Sequence, residues 1–183
     1  MIRSVVPALT LLLAGPVLAQ TAPQPYAALK DRPVKALSEQ QLSDLRAGRG
    51  MGLALPAELN GYPGPSHALE SADALSLTPD QRARTKALFE AMKAEAVPLG
   101  ERLIREEMEL ERLFATKAVQ PASLDAATTA IGATQGQLRA AHLRYHLAMM
   151  DVLTPAQVRR YGEVRGYGGA DGHRQHGHGA HRP

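Results

Sequence analysis

The sequence predicts an all-α fold: a long, bent antiparallel helical hairpin with short flanking helices, cradle-like and dimeric. Three observations predict it. Aromatic residues make up only 4% of the chain, whereas Ala, Leu, Glu, Arg and Gln abound, and this composition favours long helices over a sandwich or barrel. Two long segments carry apolar residues at seven-residue spacing, and the segments that read as helices open on capping signatures. Cysteine is absent, so stability must come from helix packing, oligomerisation or metal rather than from disulfides.

The first residues, MIRSVVPALTLLLAGPVLAQ, place one basic residue before an apolar run too short to span a bilayer, and end on small residues. They read as a signal peptide, residues 1–19, cleaved after Ala19, which predicts an exported protein with no membrane span once the leader is gone. With Arg3 among the 21 basic residues removed, 20 remain against 18 acidic ones, a net charge of +2. That is too weak to argue for nucleic acid.

Residues 20–65 form a Pro- and Gly-rich lead-in with one short helix. The helix starts at LSEQQ, with Ser38 as N-cap and Gln41 reaching back, and stops at Gly48. GRGMGLALPAELNGYPGP, residues 48–65, has no period and reads as an irregular loop whose Leu53, Leu55, Leu59 and Tyr62 need cover. Ser66 is the expected cap of a second short helix carrying His67, Leu69 and Leu75.

The hairpin domain is expected over residues 66–166. In LTPDQ, Thr78 caps, Pro79 takes the first helical position and Gln81 completes the box. The helix it opens should reach about Lys117, with Phe89, Ala96, Leu103 and Leu110 along one line and Met92, Leu99, Glu106 and Leu113 along the next. Pro98 interrupts it and predicts a bend. AVQPAS turns the chain. The second long helix carries Leu124, Ile131, Leu138, Tyr145 and Val152, flanked by the small residues Ala127, Thr134, Ala141 and Ala148. Gly132 and Gly136 each cost about 1 kcal/mol inside a helix, which suggests close approach of another backbone. LTPAQ at 153–157 ends this helix and starts a last short one through about Arg165.

An antiparallel hairpin centred near Gln120 places Glu101 opposite Arg139, His142 opposite Pro98, and His146 near Ala94 and Glu95. His142 and His146, one turn apart, project from one face at about 40° to each other. They are candidate metal ligands, with Glu95 as the third. The competing reading is a pair of ordinary flank residues. Met149 and Met150 read as core or groove filler, Glu106 as a seam residue, and His67 stands alone. Residues 167–183 form a His/Gly-rich tail that cannot build a core and is expected to be disordered. Its His173, His176, His178 and His181 can wrap a borderline cation, or merely keep the tail soluble. Without cysteine, and with the serines mainly in caps and loops, no enzymatic activity is expected.

Leu-Ser/Thr-x-x-Gln occurs three times, as LSEQQ at 37, LTPDQ at 77 and LTPAQ at 153. The latter two bracket the charged hairpin through Leu77, Thr78, Gln81, Leu153, Thr154 and Gln157. In this the chain resembles the Spy/CpxP family of periplasmic proteins and its zinc- and nickel-binding relatives, over about residues 66–165. The resemblance implies a periplasmic, cradle-shaped antiparallel homodimer with one of two roles. One is an ATP-independent holdase of the envelope stress response, shielding unfolded periplasmic proteins, with auxiliary metal binding. The other is a heavy-metal sensor or buffer for Zn, Ni or Cu that acts with a membrane sensor or regulator. No cofactor is obligatory in either. Metal-sensing relatives use an early His-x-x-x-His pair, a Glu and a late His-x-x-x-Met pair. His142, His146 and Met150 match the late element with one extra histidine, and the early pair is missing.

Overall fold

The computed structural model describes residues 26–167. The expected leader and the tail histidines His173, His176, His178 and His181 lie outside the described residues. The chain divides into two units, residues 1–31 and 32–183. In the first, the described part holds one 3₁₀ turn at Ala27–Leu29. In the second, the described residues form six α-helices and no strand: α1 Glu39–Arg46, α2 Leu55–Glu58, α3 Pro65–Glu70, α4 Pro79–Ala115, α5 Pro121–Met149 and α6 Pro155–Val164.

The local signals act as their chemistry requires. Ser38 Oγ accepts from the Gln41 amide at 3.1 Å while Gln41 Oε1 accepts from the Ser38 amide at 2.8 Å. The same reciprocal pair starts α4 at Thr78 and Gln81, and α6 at Thr154 and Gln157. α1 ends before Gly48, whose φ of +65° needs no Cβ penalty. α4 runs for 37 residues and continues through Pro98, whose ring lies on the exposed side. There the Ala94 carbonyl forgoes an amide partner, because proline carries no N–H.

α4 and α5 pack antiparallel. One core joins Val34, Leu37, Leu42 and Leu45, on and before α1, to Ala96, Leu103 and Ile104 of α4 and to Ile131 and Leu138 of α5. A second joins Ala68, Ala72, Leu75 and Leu77 to Met149, Val152, Leu153 and Tyr161. Along α5, His142 and His146 fall between the last α5 residue of the first core and the first of the second. The expected seams are largely buried at Met92, Ala96, Leu103, Ile131, Leu138, Tyr145 and Val152.

Several expectations are corrected. α3 is capped by Gly64 with Pro65 at the first position, and Ser66 instead hydrogen-bonds Glu70 within the helix. The loop at 48–65 contains α2, and its Leu55 and Leu59 are more than half-exposed or nearly so, at 50% and 59%. Glu101 pairs with Arg46 at 3.5 Å rather than with Arg139, because α1 lies against this stretch of α4. The close backbone approach is at Gly100, not at Gly132 or Gly136. A Cβ on Gly100 would stand 2.4 Å from the Leu45 carbonyl oxygen, whereas nothing lies within 4 Å of one on Gly132 or Gly136.

The two LTPxQ motifs meet. Gln81 Nε2 donates to Gln157 Oε1 at 2.8 Å and Gln157 Nε2 donates back to Gln81 Oε1 at 2.9 Å. Each amide also reaches a neighbouring carbonyl: Gln81 that of Val152 at 2.9 Å and Gln157 that of Leu75 at 3.2 Å. Each glutamine therefore completes a cap and ties the start of α4 to the start of α6. Gln157→Ala should lose about 1–3 kcal/mol, since it strands partly buried donors and acceptors. Thr154→Ala, which removes the capping hydroxyl alone, should lose about 0.5–2 kcal/mol. Urea unfolding of both variants checks this; equal losses would leave the amide ring without a contribution.

Candidate functional site

The histidine pair of α5 is buried, at 2% exposure for His142 and 7% for His146. Its cover is the 48–65 segment. Gly50 lies over His142, where an added Cβ would stand 3.6 Å from Nδ1, and Gly64 lies over His146, where one would stand 2.8 Å from Cε1. The glycines admit the rings, and the buried Pro63 and Pro65 stiffen the segment that carries Gly64.

His146 Nδ1 lies 2.8 Å from the Tyr62 carbonyl oxygen. A carbonyl only accepts, so Nδ1 carries a proton, which leaves Nε2 as the ring nitrogen that could bind a metal. His142 Nε2 is buried with no hydrogen-bond partner. Burial, reinforced by the nearby His146, pushes the His142 pKa below the ordinary imidazole value. Both histidines line a cavity of about 670 Å³. Its wall also includes Met51, Phe89, Met92 and Lys93, and Glu58, His67, Arg165 and Tyr167.

Glu58, on α2 and only 6% exposed, organises the polar part of this wall. Its Oε1 accepts from the hydroxyls of Tyr161 at 2.5 Å and Tyr167 at 3.2 Å, and faces His67 Nδ1 at 3.3 Å and Arg165 Nε at 3.4 Å. Its Oε2 lies 3.8 Å from His146 Nδ1 and has no hydrogen-bond partner. Tyr161 also accepts from the Gly64 amide at 3.3 Å. Burial, helped by the Glu58 bond, raises the Tyr161 pKa far above the usual phenol range, so its hydroxyl stays a donor. One carboxylate thereby joins α2, α3, α6 and the residues after α6 against the histidines.

Glu95 takes no part in this. Its carboxylate is bound by Arg144 and by the Tyr145 hydroxyl, at 2.5 Å for the latter. The expected register is nearly kept, but the α5 residues that project over Glu95 are Arg144 and Tyr145, not His146. Met150 is 40% exposed at the end of α5 and is absent from the cavity wall, while Met149 is fully buried in the second core. Leu77, Thr78, Gln81, Leu153, Thr154 and Gln157 serve helix starts and the junction between them. Among the described residues no three His, Cys, Asp or Glu side chains stand in an arrangement that holds a metal ion. The donors that fit a metal are thus the two imidazoles, with orphaned nitrogen or fixed tautomer.

The sequence reading missed Glu58, Met51 and Met92 as site residues. Glu58 had a signal: it is the lone charged residue between Arg49 and His67, and a single charge in an apolar loop needs partners once that loop is buried.

Comparison with curated proteins and with solved structures finds no match. A family model described as heavy-metal resistance matches residues 50–160, which takes in the loop carrying Glu58, both long helices and the two LTPxQ motifs. The matched span covers more than half of the chain and contains the whole cavity-facing stretch of α5. The chain therefore belongs to the heavy-metal resistance family, the family of the Spy/CpxP-like helical proteins.

Proposed function

We propose that this protein is an exported, non-enzymatic metal-binding protein of the periplasm, a sensor or buffer in heavy-metal resistance, whose cavity takes a transition-metal ion through His142 and His146. The observation that supports it is the state of the two imidazoles. A structural histidine in a core satisfies both ring nitrogens or packs one against apolar atoms, whereas here two rings one turn apart line one cavity. One holds its tautomer through a carbonyl and the other keeps a buried nitrogen unpaired. When bound, the ion would accept the ring lone pairs and give the unpaired His142 Nε2 the partner it lacks. Glu58 holds the covering loop in place.

The test uses the full chain with His173, His176, His178 and His181 all changed to Asn, so that tail binding cannot mask the cavity. Calorimetric titration with Zn(II), Ni(II) and Cu(II) at pH 7.5 should show about one ion per chain, lost in His142→Ala and in His146→Ala. If this full chain without its tail histidines takes up no metal, the reading is overturned. A pH effect accompanies it. The His142 pKa is lower folded than unfolded, so acid favours the unfolded chain. Stability is fully present above about pH 6.5 and is lost as pH falls from there toward the depressed folded value. Metal needs the neutral ring, so the stabilisation by metal should also be larger at pH 7.5 than at 5.5 in thermal unfolding.

A second reading is a holdase, with metal binding auxiliary. It is supported by Met108, Phe114, Leu147 and Met150, which are 40% to 60% exposed on the long helices or at the end of α5. Suppression of aggregation of an unfolded client, lost in Phe114→Ser with the metal site intact, would favour this role. Dimerisation belongs to the same proposal and is read by light scattering.

A further inference from the structure

We infer that the ion for which this cavity is built is soft and monovalent, Cu(I) or its mimic Ag(I), held by His142 and His146 together with the thioethers of Met51 and Met92. This rests on the metal-binding reading above and goes further by naming the class of ion and two ligands outside the histidine pair.

Oxygen and nitrogen donors come up short. Zn(II) and Ni(II) ask for three or four nitrogen, oxygen or thiolate ligands. No such group of three exists among the described residues; of the two carboxylates on the wall, Glu70 accepts from Ser66, and Glu58 has Oε1 committed to two tyrosine hydroxyls and faced by His67 and Arg165, which leaves a single unpaired oxygen, Oε2. Thioethers, by contrast, are present. Met51 and Met92 line the same cavity as the two histidines, and thioether with imidazole is a donor set that favours Cu(I). A monovalent ion also suits this wall, where the cations Arg49, Lys93 and Arg165 outnumber the carboxylates Glu58 and Glu70 that would offset a second positive charge.

Met51 carries an independent signal. Its φ is +44°, in the left-handed region that disfavours a side chain, and it lies between Gly50 and Gly52, the latter at +81°. Holding an unbranched apolar residue in that conformation costs on the order of 1 kcal/mol. It is also 41% exposed, so burial of its side chain does not explain the strain. The adjoining Gly50 lies against His142. The strained turn therefore sets Met51 next in chain to the glycine that covers the unpaired imidazole and on the wall of the same cavity, where a ligand gives the strain a use. Met92, buried at 6% on α4, supplies sulfur from a second, rigid element.

The experiment again uses the full chain with the four tail histidines changed to Asn. Anaerobic competition against a chromophoric Cu(I) chelator is run beside Zn(II) titration, with Ag(I) as the redox-inert probe. One Cu(I) per chain, bound more tightly than Zn(II), is expected, with sulfur scattering in the copper X-ray absorption spectrum. Met51→Leu should weaken Cu(I) and Ag(I) by about tenfold or more and leave Zn(II) unchanged; Met92→Leu should do the same. Leucine is close to methionine in volume, and the exposed Met51 gives a variant that folds even if Met92→Leu does not. Unchanged Cu(I) affinity in Met51→Leu, or Zn(II) bound as tightly as Cu(I), overturns the inference while His142-dependent Zn(II) binding leaves the metal-binding reading standing. Binding of neither metal overturns both.

Discussion

Glu58→Ala should destabilise the protein by about 3 kcal/mol, the low end of the cost of removing one partner from a buried pair. The low end applies because Arg165 and His67 are 31% and 39% exposed at the side chain and recover water when released. Tyr161 does not, at 1% exposure, and its hydroxyl is left facing a void. The effect should be regional as well as global. Without the carboxylate, α2 and the 48–65 segment lose their tie to α6, so amide exchange should accelerate over residues 50–64 more than over α4 and α5. Glu58→Gln keeps the acceptor for Tyr161 and should lose about half as much. Hydrogen exchange with thermal unfolding reads both quantities. An unchanged melting temperature in Glu58→Ala would mean that the cluster only decorates a loop held by its prolines.

Gly100→Ala should destabilise by about 1–3 kcal/mol although it sits inside a long helix, where alanine normally gains about 1 kcal/mol over glycine. The added Cβ would stand 2.4 Å from the Leu45 carbonyl oxygen and 2.9 Å from its carbon. These are backbone atoms at the end of α1, so relief means lifting α1 off α4 and opening the core that Leu42 and Leu45 share with Ala96 and Leu103. Gly132→Ala is the control. Nothing lies within 4 Å of its added Cβ, so the helical gain of up to about 1 kcal/mol should appear in full. Chemical unfolding of the two variants should therefore move in opposite directions. Should Gly132→Ala destabilise instead, in proportion to protein concentration, a second chain approaches there.

The long elements were legible because their signals are local. Ser38 with Gln41, Thr78 with Gln81 and Thr154 with Gln157 are three residues apart, and the seams through Leu103 and Leu138 repeat within single helices. The candidate site was legible only at His142 and His146. Its other half comes from contacts such as Tyr161 with Glu58, 103 residues apart, which no window along the chain contains. A hairpin register places α4 opposite α5 but says nothing of a third layer, so the histidines read as flank residues although α2 and α3 bury them. The same omission moved Arg46 into the place expected of Arg139 beside Glu101. Gly132 and Gly136 misled for a related reason: a glycine reports a permitted approach, and only the partner's position tells whether it is used.

The ring between Gln81 and Gln157 bears on the spelling of the motif. A capping box accepts glutamate as readily as glutamine, because the N-cap amide needs only an oxygen. The ring does not, since each side chain must donate a hydrogen bond to its twin through Nε2 and accept one back at Oε1. A carboxylate at either position would set acceptor against acceptor and leave the Val152 or Leu75 carbonyl without its donor. The two positions, 76 residues apart, are thus chemically one: the letter that residue 81 can bear is decided at residue 157, and the reverse holds equally.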